Sequence, residues 1–488
     1  TCSATCKVPT MAAAALMLRP EPAIAQQADD MLKRAAAAMG ASELKSIRFA
    51  GDGTGFTYGQ SYKPGTAWPK ITLHSVARTI NYETGSMRNE FTLSRAEPKG
   101  GGGYPLSGQQ ANDQYLSGAY AWNKVGQNEV AGPRFITDRT HQLWITPHGV
   151  LKAAAKNKAK LSWQEKDEKK VAVLSFTEPG KFSAKVFLNA QNLVERVESR
   201  LPDPVVGEVG AVTQYSNYRD FAGVKFPTRI RQSQGGYPTL DLAIKEVQAN
   251  APADIQVPEA VRTATERVTT DKVAEGVWYV AGGTHHSVAI EMHDHLILVE
   301  APLNDGRTLP VLAAVKALTP GKPIRYAINS HHHFDHAGGL RAAAADGAAI
   351  VTQAGNKQFF ERSLAAPAKI NPDTLAKSGK KASVKGVKDK LVLSDGTRSV
   401  EIHRIADSVH NETFLMVYLP KEKLLIEADA YTPLPPNAPP PETPNANHVN
   451  LVQNLHRLKL PVDRILPLHG RVVPVADLYT AAKIEMPK

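Results

Sequence analysis

The chain has 488 residues, of which 42% are hydrophobic and 22% are charged. This length exceeds the roughly 150 residues of a typical domain, so we expect more than one domain, and the composition is ordinary for a soluble globular protein. The formal net charge is +11, but the lysines and arginines are scattered and interleaved with acidic residues. Since no basic stripe with interleaved aromatic residues stands out, we expect no nucleic-acid partner.

The first 25 residues resemble the end of a secretory signal. An apolar run at 11–18 is followed by Ala-Ile-Ala at 23–25, which has the small-x-small pattern of a cleavage site. We therefore expect residues 1–25 to be removed and the chain to be exported, to the periplasm. The two cysteines, Cys2 and Cys6, both lie in this segment, so the mature chain would contain none. No later segment has the roughly 18 consecutive apolar residues of a membrane span.

The sequence pattern that follows is typical of a β-rich domain, which we place at 29–250. Residues 29–40 predict a helix, because strong helix formers are followed by Gly40 at the position of a C-cap. After it, segments such as "ITLHSVARTINY", "VAVLSF" and "LVERVESRL" show alternation or enrichment in β-branched and aromatic residues. Glycines at 100–103 begin a loop. The pattern predicts a curved, mainly antiparallel sheet.

A stretch rich in alanine and proline separates this region from the rest, and we place a linker at 251–264. The segments "GVWYVAGG", "SVAIEM" and "HLILVEAP" then predict strands, "TLPVLAAVKALTP" a helix, and "IRYAINS" another strand. Strands that alternate with helices predict a layered α/β domain, which we place at 265–488. Within it, the prolines of 431–448 exclude a helix or a central strand, so this segment is predicted to be an extended loop.

Thirteen of the sixteen histidines lie after residue 284, and the densest group is "SHHHFDHAGG". His331 and His333 are two apart, so in an extended segment they point the same way. Asp335 and His336 follow at once and can face another point after a turn. One loop could therefore offer two ligands to each of two neighbouring metal ions, and zinc accepts both imidazole nitrogen and carboxylate oxygen. The intervening residues, 332 and 334, are out of phase and are not expected to be ligands.

Three further candidates, His410, Asp429 and His469, each lie near the end of a strand-like run. A strand end is rigid but opens into a loop, which suits a ligand that must be held and yet remain accessible. His285 and His286 lie on a predicted hairpin turn and are candidates for lining the site. We expect no role in the site for His403, His448 and His456.

The motif His331-x-His333-x-Asp335-His336, followed in order by His410, Asp429 and His469, resembles that of the metallo-β-lactamase fold superfamily of hydrolases. The resemblance covers about 265–488 and implies an αββα sandwich that binds two zinc ions per chain. It implies that His331, His333 and His410 bind one zinc, that Asp335, His336 and His469 bind the second, and that Asp429 bridges them. Glu300 stands where the family has an acidic residue that orients a ligand.

Two zinc ions in such a site would hold a bridging water and lower its pKa, so that a metal-bridging hydroxide can attack a carbonyl carbon or phosphorus. The resemblance implies catalytic roles for Asp335 and Asp429. Zinc β-lactamases of this fold generally lack the bridging aspartate, so Asp429 favours esterase, lactonase, thioesterase or phosphodiesterase relatives. Tyr431 lies near the place of a substrate-contacting tyrosine in lactonases of this fold. We predict cleavage of an ester, lactone or amide-like bond in a small, partly apolar substrate, with the proline-rich loop as one wall of the pocket.

The N-terminal half is less specific. Its segment "YSNYRDFAGVKFPTRIRQSQGG" resembles stretches of the outer-membrane lipoprotein-sorting fold, a half-barrel sheet over helices. Such a domain could bind an apolar ligand, cover the active site or mediate dimerisation, so a homo-oligomer is left open. The alternatives to the hydrolase are a periplasmic lipid- or lipoprotein-binding protein with a non-catalytic metal domain, and a phosphodiesterase or β-lactamase-type member of the fold. A nuclease is disfavoured, because neither a basic stripe nor an additional nucleic-acid domain is present.

Overall fold

A computed structural model of the chain describes residues 21–96, 99, 108–166, 169–439 and 441–487. Most of the predicted signal peptide (1–25) and the glycine loop at 100–103 lie outside the described residues, so both stay predictions. Within those residues, no helix is both long enough and apolar enough to cross a membrane.

Among the described residues, the N-terminal region has three α-helices and a large sheet. The predicted helix at 29–40 is present within Glu21–Ala38, whereas the second and third helices were not predicted. The elements, with a short 3-10 helix at Pro133–Phe135, are α1 (Glu21–Ala38), β1 (Ser46–Phe56), β2 (Lys70–Asn81), β3 (Ser86–Arg95), β4 (Gln109–Ser117), β5 (Tyr120–Val125), β6 (Asn128–Ala131), α2 (Ile136–Trp144), α3 (Pro147–Lys156), β7 (Lys160–Lys166), β8 (Lys169–Glu178), β9 (Phe182–Leu188), β10 (Val194–Asp203), β11 (Gly207–Phe221), β12 (Val224–Gln234) and β13 (Tyr237–Ala249).

The predicted antiparallel sheet is present and is strongly curved. Among the described residues, thirteen strands form one sheet in the order β6-β5-β4-β3-β2-β1-β13-β12-β11-β10-β9-β8-β7. Helix α2 contacts both β3 and β10, which are six strands apart in this order. At roughly 4.8 Å per strand, these strands would be about 29 Å apart in a flat sheet. Only a curved sheet can bring both of them to one helix.

The C-terminal region alternates strands and helices, as predicted. Its first helix lies within the predicted linker at 251–264 and packs against β5 and β6. The elements, with a 3-10 helix at Ala354–Asn356, are α4 (Glu259–Arg262), β14 (Thr269–Ala274), β15 (Val277–Ala281), β16 (Ser287–Glu291), β17 (Leu296–Val299), α5 (Asp305–Leu318), β18 (Ile324–Ile328), α6 (Phe334–Ala337), α7 (Leu340–Asp346), β19 (Ala349–Gln353), α8 (Lys357–Ala365), α9 (Thr374–Ser378), β20 (Val384–Val387), β21 (Lys390–Ser394), β22 (Ser399–Arg404), β23 (Leu415–Leu419), β24 (Leu424–Glu427), α10 (Ala446–Leu458), β25 (Arg464–Pro467), β26 (Val473–Pro474) and α11 (Val475–Ala482).

These elements form two facing sheets with helices outside, which confirms the αββα sandwich. Strands β14 to β20 form one sheet and β21 to β26 the other. Ile297 of the first sheet and Ile402 of the second share one core, which also receives Leu451 of α10. A second core covers the outer face of the first sheet, where Leu298 lies with Val311 of α5. Because β17 is buried along its whole length, its sequence is a continuous apolar run.

Candidate metal centre

The seven predicted ligands lie in loops or a short helix at the ends of strands. Strands β24 and β25 run parallel, so their carboxyl ends lie at the same edge of the sheet, where open α/β sheets place their ligands. The loop after β18 carries His331 and His333 and leads into α6, which carries Asp335 and His336. The other three ligands lie between β22 and β23 (His410), after β24 (Asp429) and after β25 (His469).

The first donor group consists of His331, His333, His410 and Asp429. One atom from each lies within 4.8 Å of the others, and all four residues are buried. The distance between His331 Nε2 and His410 Nε2 is 3.3 Å. Asp429 Oδ2 lies 3.5 Å from His331 Nε2 and 2.9 Å from His410 Nε2. Imidazole and carboxylate donors therefore converge on one point.

The second donor group contains His336 and His469, whose Nε2 atoms are 3.2 Å apart. Asp429 turns its other oxygen to this group, with Oδ1 at 3.2 Å from His336 Nε2 and 3.0 Å from His469 Nε2. Asp335 Oδ2 lies 3.8 Å from His336 Nε2. His285, predicted only to line the pocket, also belongs to this group, and its Nε2 lies 3.1 Å from Asp335 Oδ2. Asp429 thus faces each group with one oxygen.

Oxygen partners behind the rings fix the orientation of three histidines. The Nδ1 of His336 lies 3.2 Å from Glu300 Oε2, and His469 Nδ1 donates to the backbone carbonyl of Thr284 at 2.8 Å. His331 Nδ1 lies 2.9 Å from the hydroxyl of Ser330, which donates to Glu300. A histidine that donates through Nδ1 presents the lone pair of Nε2 on its other side. Glu300 therefore lies behind the rings of both His331 and His336, and its role in orienting a metal ligand stays a prediction.

A loop of the N-terminal region, 57–69, completes the centre. Gln60 Nε2 donates to Asp335 Oδ1 at 2.7 Å, and His333 Nε2 donates to the backbone carbonyl of Ser61 at 3.1 Å. The backbones touch where Phe334 N donates to Gly59 O. A Cβ on Gly59, whose φ is +79°, would lie 2.7 Å from Phe334, so only glycine permits this approach. Sequence reasoning missed these residues, because no motif links positions that are 275 residues apart.

The electrostatics of the centre favour a neutral His331 and ionised Asp335 and Asp429, which are the protonation states in which these side chains bind metal ions. Burial, with His336 nearby, lowers the pKa of His331 to about 3. Burial by itself would raise the pKa of Asp335 and of Asp429, but the neighbouring histidines, His336 first, hold both pKa values well below their usual range. His336 differs: although burial opposes it, Asp429 and Asp335 raise its pKa well above the usual value. The two carboxylates therefore favour a positive charge between them. Either a protonated His336 or a bound cation can supply that charge.

The donor set fits metal ions. His333 Nδ1 and Asp429 Oδ1 are buried and have no hydrogen-bond partner in the part of the chain that the structure describes. Because His333 Nε2 carries the proton that is donated to Ser61, its Nδ1 has a lone pair to offer. The Nε2 atoms of His331 and His410 also face each other, as do those of His336 and His469, and two imidazole lone pairs that face each other cannot both be satisfied without a hydrogen or a cation between them. A cation at each point would satisfy these atoms, and imidazole nitrogen with carboxylate oxygen is a set that zinc takes.

The other singled-out residues lie around the centre. His332 turns away, with Nε2 at 3.1 Å from Ser61 Oγ and Nδ1 at 3.2 Å from Asn411 Nδ2. His286 is buried and packs against the ring of Tyr279. Tyr431 is 1% exposed and packs edge-on against His448; its contact with substrate stays a prediction. The remaining two histidines lie apart from both donor groups, with bonds from His403 to Glu401 and from His456 to Tyr479.

The fold and the donor groups define an αββα domain with a histidine–carboxylate metal site. Residues 280–469 match the family model described as "Metallo-beta-lactamase superfamily", and this range contains all seven predicted ligands. The match assigns residues 280–469, and not the whole chain, to this superfamily. Membership and the candidate site together support a metal-dependent hydrolase in general. The match does not reach the N-terminal region, whose resemblance to the lipoprotein-sorting fold stays a prediction.

Solved structures similar to the chain include several metallo-beta-lactamases. The protein from Pontibacter korlensis is 17% identical over 45% of this chain and 98% of its own, with a TM-score of 0.34. The protein from Hirschia baltica is 21% identical over 45% and 99%, with a TM-score of 0.34. FIM-1 from Pseudomonas aeruginosa, in its mono-zinc form, is 18% identical over 45% and 95%, with a TM-score of 0.33. No curated protein matches the chain in sequence.

Proposed function

We propose that the chain is a dinuclear zinc hydrolase that cleaves an ester, lactone or amide-like bond of a small, partly apolar substrate. The observation that carries this proposal is Asp429, whose two oxygens each face a different group of histidines. His331, His333 and His410 would hold one zinc, and Asp335, His336 and His469 the other. Zinc ions held in this way lower the pKa of a water molecule and polarise the bond that it attacks.

Asp335 is the candidate metal ligand that can contact both water and substrate. It lines the large cavity that borders the centre, and its carboxylate is about a quarter exposed, at 26%. Gln60 donates to one of its oxygens and His285 lies beside the other, so the plane of the carboxylate is fixed. We propose that Asp335 accepts a hydrogen bond from the attacking water and thereby orients it. Asp429 would keep the two groups of histidines at a fixed separation.

Among hydrolases of this fold we favour an esterase or lactonase over a β-lactamase. The reason is the aspartate at 429, which zinc β-lactamases that resemble this fold generally lack. Asp429 is buried between four histidine Nε2 atoms. This position supports a role in binding both ions, whereas a carboxylate without such a role would lie at the surface in contact with water.

The experiment that tests this function combines metal analysis with a substrate panel. We expect about two zinc ions per chain, together with turnover of aryl esters or lactones that a chelator abolishes and added zinc restores. Asp429→Asn should lower both metal content and turnover. His456→Gln, an exposed histidine outside the centre, is the matched control and should change neither. Protein that holds no metal after zinc loading and turns over no substrate of the panel would refute the proposal.

One alternative is supported by an observation of its own. The cavity at the N-terminal sheet would also suit a lipid- or lipoprotein-binding protein whose metal domain is not catalytic. Bound lipid in the purified protein, combined with zinc but without turnover on esters, lactones, thioesters, β-lactams and phosphodiesters, would favour the carrier over the enzyme.

We also propose that residues 1–25 are removed on export to the periplasm, and that the linker at 251–264 separates the domains at 29–250 and 265–488. The extended chain between β13 and β14, which contains just the short α4, supports this boundary. N-terminal sequencing of the chain recovered from a periplasmic fraction tests the first statement. Residue 26 is the expected first residue, and an uncleaved chain would contradict it.

A further inference from the structure

The curved N-terminal sheet lines a chamber that borders the candidate metal centre at Asp335. Its volume is about 730 Å³, within the range of pockets that hold drug-sized ligands. At one end it is bounded by Leu303, Phe334 and Asp335, of which Asp335 is a candidate ligand. The chamber and the centre therefore share a wall. Apolar side chains from several strands of the sheet line much of the rest, among them Phe56, Leu73, Val76, Phe91, Leu240 and Leu242.

Most polar side chains of the chamber are already paired within the protein. Arg78 donates to Asn89 Oδ1 at 3.4 Å and to Gln142 Oε1 at 3.1 Å. The hydroxyl of Tyr58 donates to Asp203 Oδ2 at 2.8 Å. These groups satisfy one another, so they do not need a ligand and leave the apolar wall as the main surface that a ligand would meet.

Arg134 is different. In the part of the chain that the structure describes, its guanidinium has no hydrogen bond or ion pair; it lies over the ring of Phe135, 4.5 Å from the centroid. It lines the chamber together with Asp335 of the candidate centre. A guanidinium has five N–H donors and suits carboxylates. Arg134 is therefore a free cation between an apolar chamber and the centre.

We propose that the chamber binds the acyl chain of an ester substrate and that Arg134 binds the carboxylate formed from it. This rests on the proposed hydrolase function and names its substrate class, esters of apolar carboxylic acids. In the reaction, water adds its oxygen to the acyl carbon and the bond from that carbon to the alcohol oxygen breaks. The alcohol oxygen takes one proton of the water, the other is released, and the acid leaves as a carboxylate.

The charge of Arg134 decides which half of the substrate enters the chamber. Hydrolysis of an ester gives an anion on the acid side, whereas the alcohol stays neutral at neutral pH. A cation at the junction of chamber and centre complements the acid product and not the alcohol. The apolar wall then meets the chain that extends from the carboxylate.

Chain-length kinetics test the chamber. With 4-nitrophenyl esters of acetate, octanoate and dodecanoate on the zinc-loaded protein, kcat/KM should rise with acyl length, since each buried methylene contributes about 0.8 kcal/mol, or roughly fourfold. Leu240→Trp, which adds bulk to the wall of the chamber, should remove the rise. Val130→Trp, which adds the same side chain at an exposed position of the same sheet, should behave like the parent protein. No rise in the parent protein would overturn the proposal, as would a rise with alcohol length in a series of acetates.

Binding of the product tests Arg134 without turnover. Calorimetry with dodecanoate, below its micelle concentration, should show binding to the full chain, weakened about tenfold or more in Arg134→Gln. Arg219→Gln, an exposed arginine of the same sheet, should bind like the parent protein. Equal affinities in all three proteins would remove Arg134 from the proposal, and absence of binding in the parent protein would remove the chamber. If dodecanoate binds but no ester is turned over, the hydrolase function fails while the chamber stands.

Discussion

Buried histidines occur in both regions of the molecule, but in opposite settings. In the N-terminal region, His141 and His148 are 1% and 0% exposed. Each makes a hydrogen bond to a neutral oxygen: His141 Nε2 lies 2.7 Å from Ser199 Oγ, and His148 Nε2 donates to the carbonyl of Met39 at 3.2 Å. Neither of them faces another histidine.

In the C-terminal region, buried histidines face one another. The Nε2 atoms of His331 and His410 are 3.3 Å apart, and those of His336 and His469 are 3.2 Å apart, with Asp429 between the pairs. The comparison shows that burial does not identify a metal ligand. The lone pairs of candidate ligands point to one common place, and no donor hydrogen of the protein lies there.

The largest expected effect separates two neighbouring histidines of the C-terminal region. His333→Ala should abolish turnover and lower the metal content, because it removes a converging nitrogen. His332→Gln should be mild, because His332 bonds Ser61 and Asn411 instead. Metal analysis and ester kinetics on both variants check this, with the melting temperature as the control for folding. Equal losses of metal in the two variants would mean that the assignment of ligands within the loop is wrong.

Acidification should destabilise the N-terminal core through its solitary histidines. Burial lowers the pKa of both His141 and His148 to about 4, against about 6.5 in the unfolded chain. The unfolded chain therefore binds more protons as the pH falls below 6.5, so the stability present above pH 6.5 is lost on the way to pH 4. Each histidine should cost about 3 kcal/mol over this range.

Denaturant unfolding between pH 7 and pH 4, followed by tryptophan fluorescence, measures this loss. His148→Gln should flatten the pH dependence, whereas His74→Gln, at an exposed position of the N-terminal sheet, should leave it unchanged. A profile of the same slope in the His148→Gln variant would show that its titration does not contribute.

The smallest effect concerns the partners that hold the ligands, one from each region. Glu300→Gln should lower zinc affinity or turnover by about 10- to 100-fold, the usual cost of removing a carboxylate that orients a ligating histidine. Gln60→Leu removes the hydrogen bond to Asp335 and should lower turnover within the same range while zinc content stays near the parent value. Zinc titration alongside kinetics distinguishes the two. Full activity in Gln60→Leu would mean that the N-terminal loop covers the centre without supporting it.

Much of this could be predicted from sequence because the signals are local. The spacing of His331, His333, Asp335 and His336 specifies directions within one loop, and the apolar runs before Asp429 and His469 place both at strand ends. The alternation in segments such as "LVERVESRL", which forms most of β10, likewise predicts a sheet with a packed face. The helices α2 and α3 were missed, because they interrupt a β-rich region with short segments that have few strong signals.

The sequence by itself determined the types of the candidate ligands, their order and the αββα architecture, since a strand end and a histidine pair two residues apart have consequences within a few residues. Only the tertiary structure decided that His285 joins the second donor group, that Gln60 and Ser61 hold Asp335 and His333, and that the curved sheet places its chamber and Arg134 against the centre. These contacts depend on how two distant regions pack. Packing results from many small apolar contacts, so no single residue of the sequence predicts it.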